Sequence, residues 1–163
     1  MIDPKKLPAS MLIDTTVALR GFGAAEDDEH APLCIELVDT CIQQGTALLI
    51  AAPTLAEILR GGATKPIPRV HNVEVVAFDE PAARVLSAFS AEFLKSFSTQ
   101  EGLRLTYIKY DALIVACAAR YKAAYLVSLD QRQRRFAVQA GVNAVAPKHF
   151  LENQLPLFPG SIP

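Results

Sequence analysis

Lys109-Tyr-Asp-Ala-Leu-Ile-Val-Ala-Cys-Ala-Ala-Arg120 sets one acid at the head of an otherwise apolar segment. Every residue from Ala112 to Ala119 is apolar and alanine-rich, which reads as a helix buried on nearly all sides. Asp111 then falls in its first turn, where the partial positive charge of a helix start favours an ionised carboxylate. An acid in that position has an ordinary reading, a helix cap, and a chemical one. Three further acids, Asp14, Glu57 and Asp130, recur at matching points of the surrounding pattern and make the chemical reading worth pursuing.

Working outward from this helix, short apolar runs alternate with amphipathic ones. Ser10 to Ile13 reads as a strand delivering Asp14 at its carboxyl end, followed by a helical turn or two from Thr15 to Phe22. Pro32 opens a helix stopped by Gly45, Ala47 to Ala51 is a second strand, and Pro53 to Arg60 a helix closed by Gly61 and Gly62. Val73 to Phe78 reads as a third strand, and Asp79 to Phe97 as one long helix with Val85, Phe89, Phe93 and Phe97 on a common face. Beyond the Asp111 helix come a strand at Ala124 to Ser128, a helix at Gln131 to Ala140 headed by Asp130, and a short last strand at Asn143 to Ala146. This alternation predicts an α/β fold, a mostly parallel sheet covered by helices on both faces. Residues 1–9 read as an N-terminal extension, 10–150 as the domain and 151–163 as an extended tail.

The chain of 163 residues suits one domain that can bury a core without staples, and 51% hydrophobic with 20% charged residues describes a globular protein. No apolar run approaches the ~18 residues of a membrane span, and the N-terminus lacks the apolar core of a secretion signal, so a cytoplasmic protein with no membrane partner is expected. Cys34 and Cys41 lie seven residues apart on one helix, about 10 Å of rise, too far for a disulfide; with Cys117 they read as buried free thiols. The three histidines are scattered away from any zinc-ligand spacing. From Arg104 to Arg135 there are seven basic residues against two acids, a distribution that suits a polyanion but also ordinary solvated faces.

In a parallel α/β sheet the functional crevice lies outside the carboxyl ends of the strands. Asp14 and Asp130 follow strands directly, and Glu57 and Asp111 sit near helix starts, so all four acids are placed to line one edge. Two carboxylates ~5 Å apart at an effective dielectric of ~20 repel by roughly 3 kcal/mol. Either some hold protons, or a cation neutralises them. All-oxygen donors point to a hard ion, Mg²⁺ or Mn²⁺, which activates water and polarises a phosphoryl oxygen. Capping offers a competing account: Thr54 with Glu57 fits a capping box, Asp130 with Gln133 a looser one, and Asp14 caps the helix after it.

These motifs together resemble the PIN domain, a metal-dependent nuclease fold that includes the VapC-like toxins. Leu12-Ile-Asp-Thr-Thr16 resembles that family's opening Asp-Thr-Asn or Asp-Thr-Ser, and Thr54-Leu-Ala-Glu-Ile-Leu59 its acidic helix. Tyr110-Asp-Ala-Leu-Ile-Val-Ala116 resembles its central segment, and Leu126-Val-Ser-Leu-Asp130 the Thr-x-Asp after its fourth strand. The resemblance runs from Met11 to about Phe150. It implies a three-layer sandwich in which Asp14, Glu57, Asp111 and Asp130 hold one or two Mg²⁺ or Mn²⁺ ions and hydrolyse RNA with metal-activated water. It further implies Thr15, Ser128 and Arg132 on the substrate side, an antitoxin protein as partner, and self-association into a homodimer. Thr16 in place of Asn or Ser, and Ser128 in place of Thr, depart from the family pattern, though both keep a hydroxyl.

Rival acidic-site folds fit less well. A haloacid-dehalogenase-like phosphatase wants an acid where Thr16 stands, a receiver domain wants a second early acid, and Gly21-Phe-Gly23 and Gly61-Gly-Ala-Thr-Lys65 match no nucleotide-binding loop. In the tail, Gln154-Leu-Pro-Leu-Phe158 resembles the short peptide with which bacterial repair proteins dock on the sliding clamp; Gln154, Leu155, Leu157 and Phe158 would make that contact. The other reading of the tail is that these apolar residues fold back on the domain. A clamp-tethered, catalytically weak nucleic-acid-binding module is thus the alternative to the ribonuclease.

Overall fold

The computed structural model describes residues 1–23, 28–60, 67–102 and 104–152. Strands β1 (Ser10–Ile13), β2 (Ala47–Ala51), β3 (Val73–Val76), β4 (Tyr125–Val127) and β5 (Ala144–Val145) form one parallel sheet in the order β3-β2-β1-β4-β5. Helices α1 (Thr15–Gly21), α2 (Ala31–Gln44), α3 (Ala52–Arg60), α4 (Glu80–Ser87), α5 (Ala91–Glu101), α6 (Leu105–Arg120) and α7 (Gln131–Gln139) cover it. The architecture is the α/β sandwich that the alternating pattern predicts.

The two-residue period of the strands sorts their side chains into two cores. Leu12, Leu49 and Leu126 face one way and pack with Phe97, Ile108, Val115 and Phe136. Met11, Ile13, Leu48, Ile50 and Val127 face the other and pack with Val17, Leu37 and Phe150. Both faces are apolar because each is covered, which is why these strands read as continuous hydrophobic runs. On the second face α1 and α2 approach closely: a Cβ placed on Gly21 would lie 2.6 Å from Val38 Cγ2. The first nine residues belong to the same body, since Ile2 is buried in the second core and bridges to Leu151.

Two helix boundaries differ from expectation. The run from Asp79 to Phe97 is two helices, because Ser90 adopts an extended backbone and its hydroxyl accepts the Phe93 N–H at 3.0 Å, starting α5 afresh. The aromatic stripe survives the break: Phe89, Phe93 and Phe97 all pack on Phe136, with ring centroids 5.2 to 5.9 Å away. The second difference bears on the site. Helix α6 begins at Leu105, so Asp111 lies in its interior, about two turns in, and not in its first turn. The partial charge of a helix start fades within a turn and does not act on this carboxylate.

Among the described residues no helix is long and apolar enough to cross a membrane. The three cysteines are free and buried, as their spacing implied.

A candidate acidic active site

Strand β1 sits between β2, the next strand in the chain, and β4, reached only after β3 and the three helices α4, α5 and α6. Such a reversal of direction opens a crevice at the carboxyl ends of the two strands. Asp14 lies at the end of β1 and Asp130 beyond the end of β4, joined across the sheet by the Asp14 N–H donating to Val127 O at 3.1 Å. Helices α3 and α6 bring Glu57 and Asp111 to the same place. All four acids line one pocket of about 520 Å³, together with Thr15, Thr16, Arg60 and Gln133.

Asp14 is only 1% exposed and densely held. Its Oδ1 accepts the Val17 N–H at 3.0 Å and the Thr16 hydroxyl at 2.7 Å, while its Oδ2 accepts the Ser128 hydroxyl at 2.6 Å. The contact with Val17 makes Asp14 the N-cap of α1, so capping and membership of the cluster are properties of one side chain. A carboxylate has about four lone-pair sites, and three donors leave roughly one for a ligand. Burial pushes its pKa up to about 6 despite the lowering effect of Ser128, Thr16 and Val17.

Thr16 and Ser128 also tie the β4–α7 connection to Asp14. The Leu129 N–H donates to Thr16 Oγ1 at 3.0 Å and the Asp130 N–H to Ser128 Oγ at 2.9 Å. Ser128 is fully buried, so its hydroxyl, assigned to the substrate side by the sequence, here faces Asp14 and its own loop. Thr15 lines the pocket and donates its hydroxyl to Glu57 Oε2.

Asp111 is the opposite case. Burial raises its pKa to about 7, the charges of Asp130, Asp14 and Glu57 push the same way, and Arg132 opposes them. Asp130 caps α7 by accepting the Arg132 N–H at 2.8 Å, and the Arg132 guanidinium pairs with it at 3.2 Å. Burial raises Asp130, but these Arg132 contacts outweigh it and hold the carboxyl below its ordinary value. Neither capping box closes. Thr54 lies inside α3, its hydroxyl buried with no hydrogen-bond partner among the described residues, while Asp130 accepts the Gln133 N–H but Gln133 turns its own Oε1 toward Ser128 Oγ at 3.2 Å. The basic run of the sequence is likewise dispersed: Arg120 pairs with Asp79, Arg135 with Glu101, and Arg134 donates to Ser128 O.

Among the described residues no three His, Cys, Asp or Glu side chains close into a cage around a single point. The donor chemistry still suits a hard cation. Mg²⁺ keeps several waters and needs only one or two carboxylates directly, and the upward displacement of Asp14 and Asp111 marks a place where negative charge lacks compensation. Two polar residues of the pocket, Arg60 and Gln133, were not assigned to the site from the sequence, which placed Gln133 only in a helix cap. Arg60 lies three positions after Glu57 and Gln133 three after Asp130, the helical spacing that shares a face, which was the available signal. Gln154, Leu155, Leu157 and Phe158 lie outside the described residues.

Comparison with known proteins bears on the fold and the family. Curated protein sequences give no match. Among solved structures the chain is similar to the crystal structure of VapBC2 from Rickettsia felis bound to a DNA fragment from their promoter, with a TM-score of 0.57 and 14% identity over 84% of this chain and 98% of that one. Identity that low shows a common fold and nothing finer. The PIN domain family model matches residues 11–139, a span that begins just before Asp14 and ends after Asp130. That span is most of the chain, and the chain belongs to the PIN-domain family.

Proposed function

We propose that the protein is an endoribonuclease that hydrolyses RNA phosphodiester bonds with Mg²⁺ or Mn²⁺. The observation that carries this reading is the convergence of Asp14, Glu57, Asp111 and Asp130 from four separate segments on one pocket at the reversal point of a parallel sheet. These four carboxylates would hold the ion or ions. When bound, the metal supplies a water activated near neutral pH and an electrophile for a phosphoryl oxygen. The protein's own part is placement. Thr16 and Ser128 lock Asp14 into one orientation, and Thr15 does the same for Glu57. Arg132, exposed beside Asp130, and Arg60, on the pocket wall, supply positive charge for the phosphates flanking the scissile bond. A protein partner of the antitoxin kind fits this reading, as a cover for the acidic pocket.

The experiment is cleavage of end-labelled single-stranded RNA in Mg²⁺, in Mn²⁺ and in EDTA, by wild type and Asp111→Asn. Cleavage in either metal that disappears in EDTA and in the variant supports the proposal. Wild type that binds RNA yet leaves it intact in both metals overturns it.

A further inference from the structure

A second hollow of about 650 Å³ opens beside the acidic pocket and shares Glu57, Arg60, Asp111 and Asp130 with it. Its remaining walls are Tyr107, Tyr110 and Arg132. The two tyrosines are differently held. Tyr110 donates its hydroxyl to Pro53 O at 3.0 Å and so is fixed between α6 and α3. Tyr107 is 63% exposed, among the most exposed large apolar side chains of the described residues. It precedes Asp111 by four residues on α6, so the two share a face, separated by about 6 Å of helix rise. A nucleic-acid chain with one phosphate at the acids could therefore reach Tyr107 with its next unit.

We propose that Tyr107 is a base-stacking platform for the nucleotide next to the scissile phosphate, with Arg60 and Arg132 flanking its backbone. An exposed aromatic ring that shares a hollow with cationic side chains, continuous with the phosphate-handling pocket, is the combination that grips single-stranded nucleic acid: rings stack on any base, and guanidinium groups follow the phosphates. A paired helix keeps its bases stacked inside and could not offer one to Tyr107, so the platform selects single-stranded RNA. This rests on the ribonuclease reading and deepens it by naming the residue that receives the base beside the scissile phosphate.

The test is a cycle between protein and substrate. Wild type, Tyr107→Ala and Tyr107→Trp are assayed on a short single-stranded RNA and on the same RNA with an abasic nucleotide on either side of the cleaved bond. Stacking of this kind predicts a KM about tenfold higher for Tyr107→Ala, with kcat little changed, and recovery in Tyr107→Trp. The abasic substrate, on one side of the bond, should cost wild type a similar factor and cost Tyr107→Ala almost nothing more. Because Tyr107 is exposed, the variants should melt as wild type does. An unchanged KM in Tyr107→Ala, or an abasic penalty equal in both proteins, overturns the platform while leaving the nuclease standing. If wild type cuts nothing, fluorescence quenching of a 2-aminopurine RNA decides the matter. Quenching lost in Tyr107→Ala supports stacking, equal quenching overturns it, and no binding at all overturns both readings. Tyr107→Ala that only weakens capture of a protein partner also overturns it.

Discussion

The two ends of the sheet treat buried polar groups in opposite ways. At the amino end, Asn72 stands before β3 and Thr46 before β2, both buried. Asn72 Nδ2 donates to Cys41 O at 3.1 Å and to Thr46 O at 2.9 Å, and Thr46 Oγ1 donates to Pro8 O at 3.1 Å. These are neutral donors to backbone carbonyls; Cys41 O also accepts the Thr46 N–H at 3.0 Å, so Asn72 adds to the closure of α2. At the carboxyl end the polar groups are acids drawn together, and burial first, with repulsion from neighbouring acids second, raises Asp14 and Asp111 to about 6 and 7. One end stabilises the fold; the other works against it in the absence of a counter-charge, as expected where geometry serves a ligand.

The sharpest way to break this contrast is Asp111→Asn. Cleavage should fall by on the order of a thousandfold, about 4 kcal/mol in the barrier. The metal-free variant should nevertheless melt higher than wild type near pH 8, because a buried charge opposed by three neighbouring acids is gone. A variant that keeps full cleavage, or melts lower, removes the distinction between the ends.

The pH dependence of stability comes next. Asp14 and Asp111 have folded pKa values above the ordinary 3.8, so between about 4 and 7 the folded protein holds protons that the unfolded chain has released. Stability of the metal-free protein should therefore be lowest above pH 7, rise as the pH falls through 7 and then 6, and level off near 4. At ~1.4 kcal/mol per pH unit the two displacements together bound the gain at roughly 7 kcal/mol. Asp28, held at about 2 first of all by Arg20, acts in the other sense but only below pH 4. Urea titrations at several pH values measure this, and saturating Mg²⁺ should flatten the curve. A flat metal-free curve would show that the acids are not buried together.

Asn72→Ala probes the other end. It removes the side-chain donor to Thr46 O and Cys41 O and should cost about 1 kcal/mol, while cleavage per folded molecule stays as in wild type. The smallest expected effect is at Thr54, whose unpaired hydroxyl is buried in α3. Thr54→Val keeps the shape and removes that hydroxyl, for a gain of up to ~1 kcal/mol in thermal melting.

The sheet and the positions of Asp14 and Asp130 were legible because apolar runs ending in an acid leave few alternatives. The start of α6 was not: Tyr107 and Lys109 interrupt the apolar pattern, since the first turns of this helix are exposed on one side. The break at Ser90 was obscured by phenylalanines that keep one spacing across two helices and meet on Phe136. Thr54 and Glu57 looked like a capping box because such a box assumes a loop before the helix, whereas α3 follows β2 directly. Arg60 and Tyr107 join one hollow only through the packing of α3 beside α6, which no local pattern encodes.

The three thiols give the molecule a built-in clock. Burial pushes Cys34, Cys41 and Cys117 up to about 11, 12 and 11, so none is reactive at neutral pH until the protein opens. Cys34 and Cys41 lie under one helical layer and Cys117 under the other. Alkylation rates followed by peptide mass spectrometry would then time the two layers separately: equal rates mean that the sandwich comes apart in one motion, and unequal rates identify the side that loosens first.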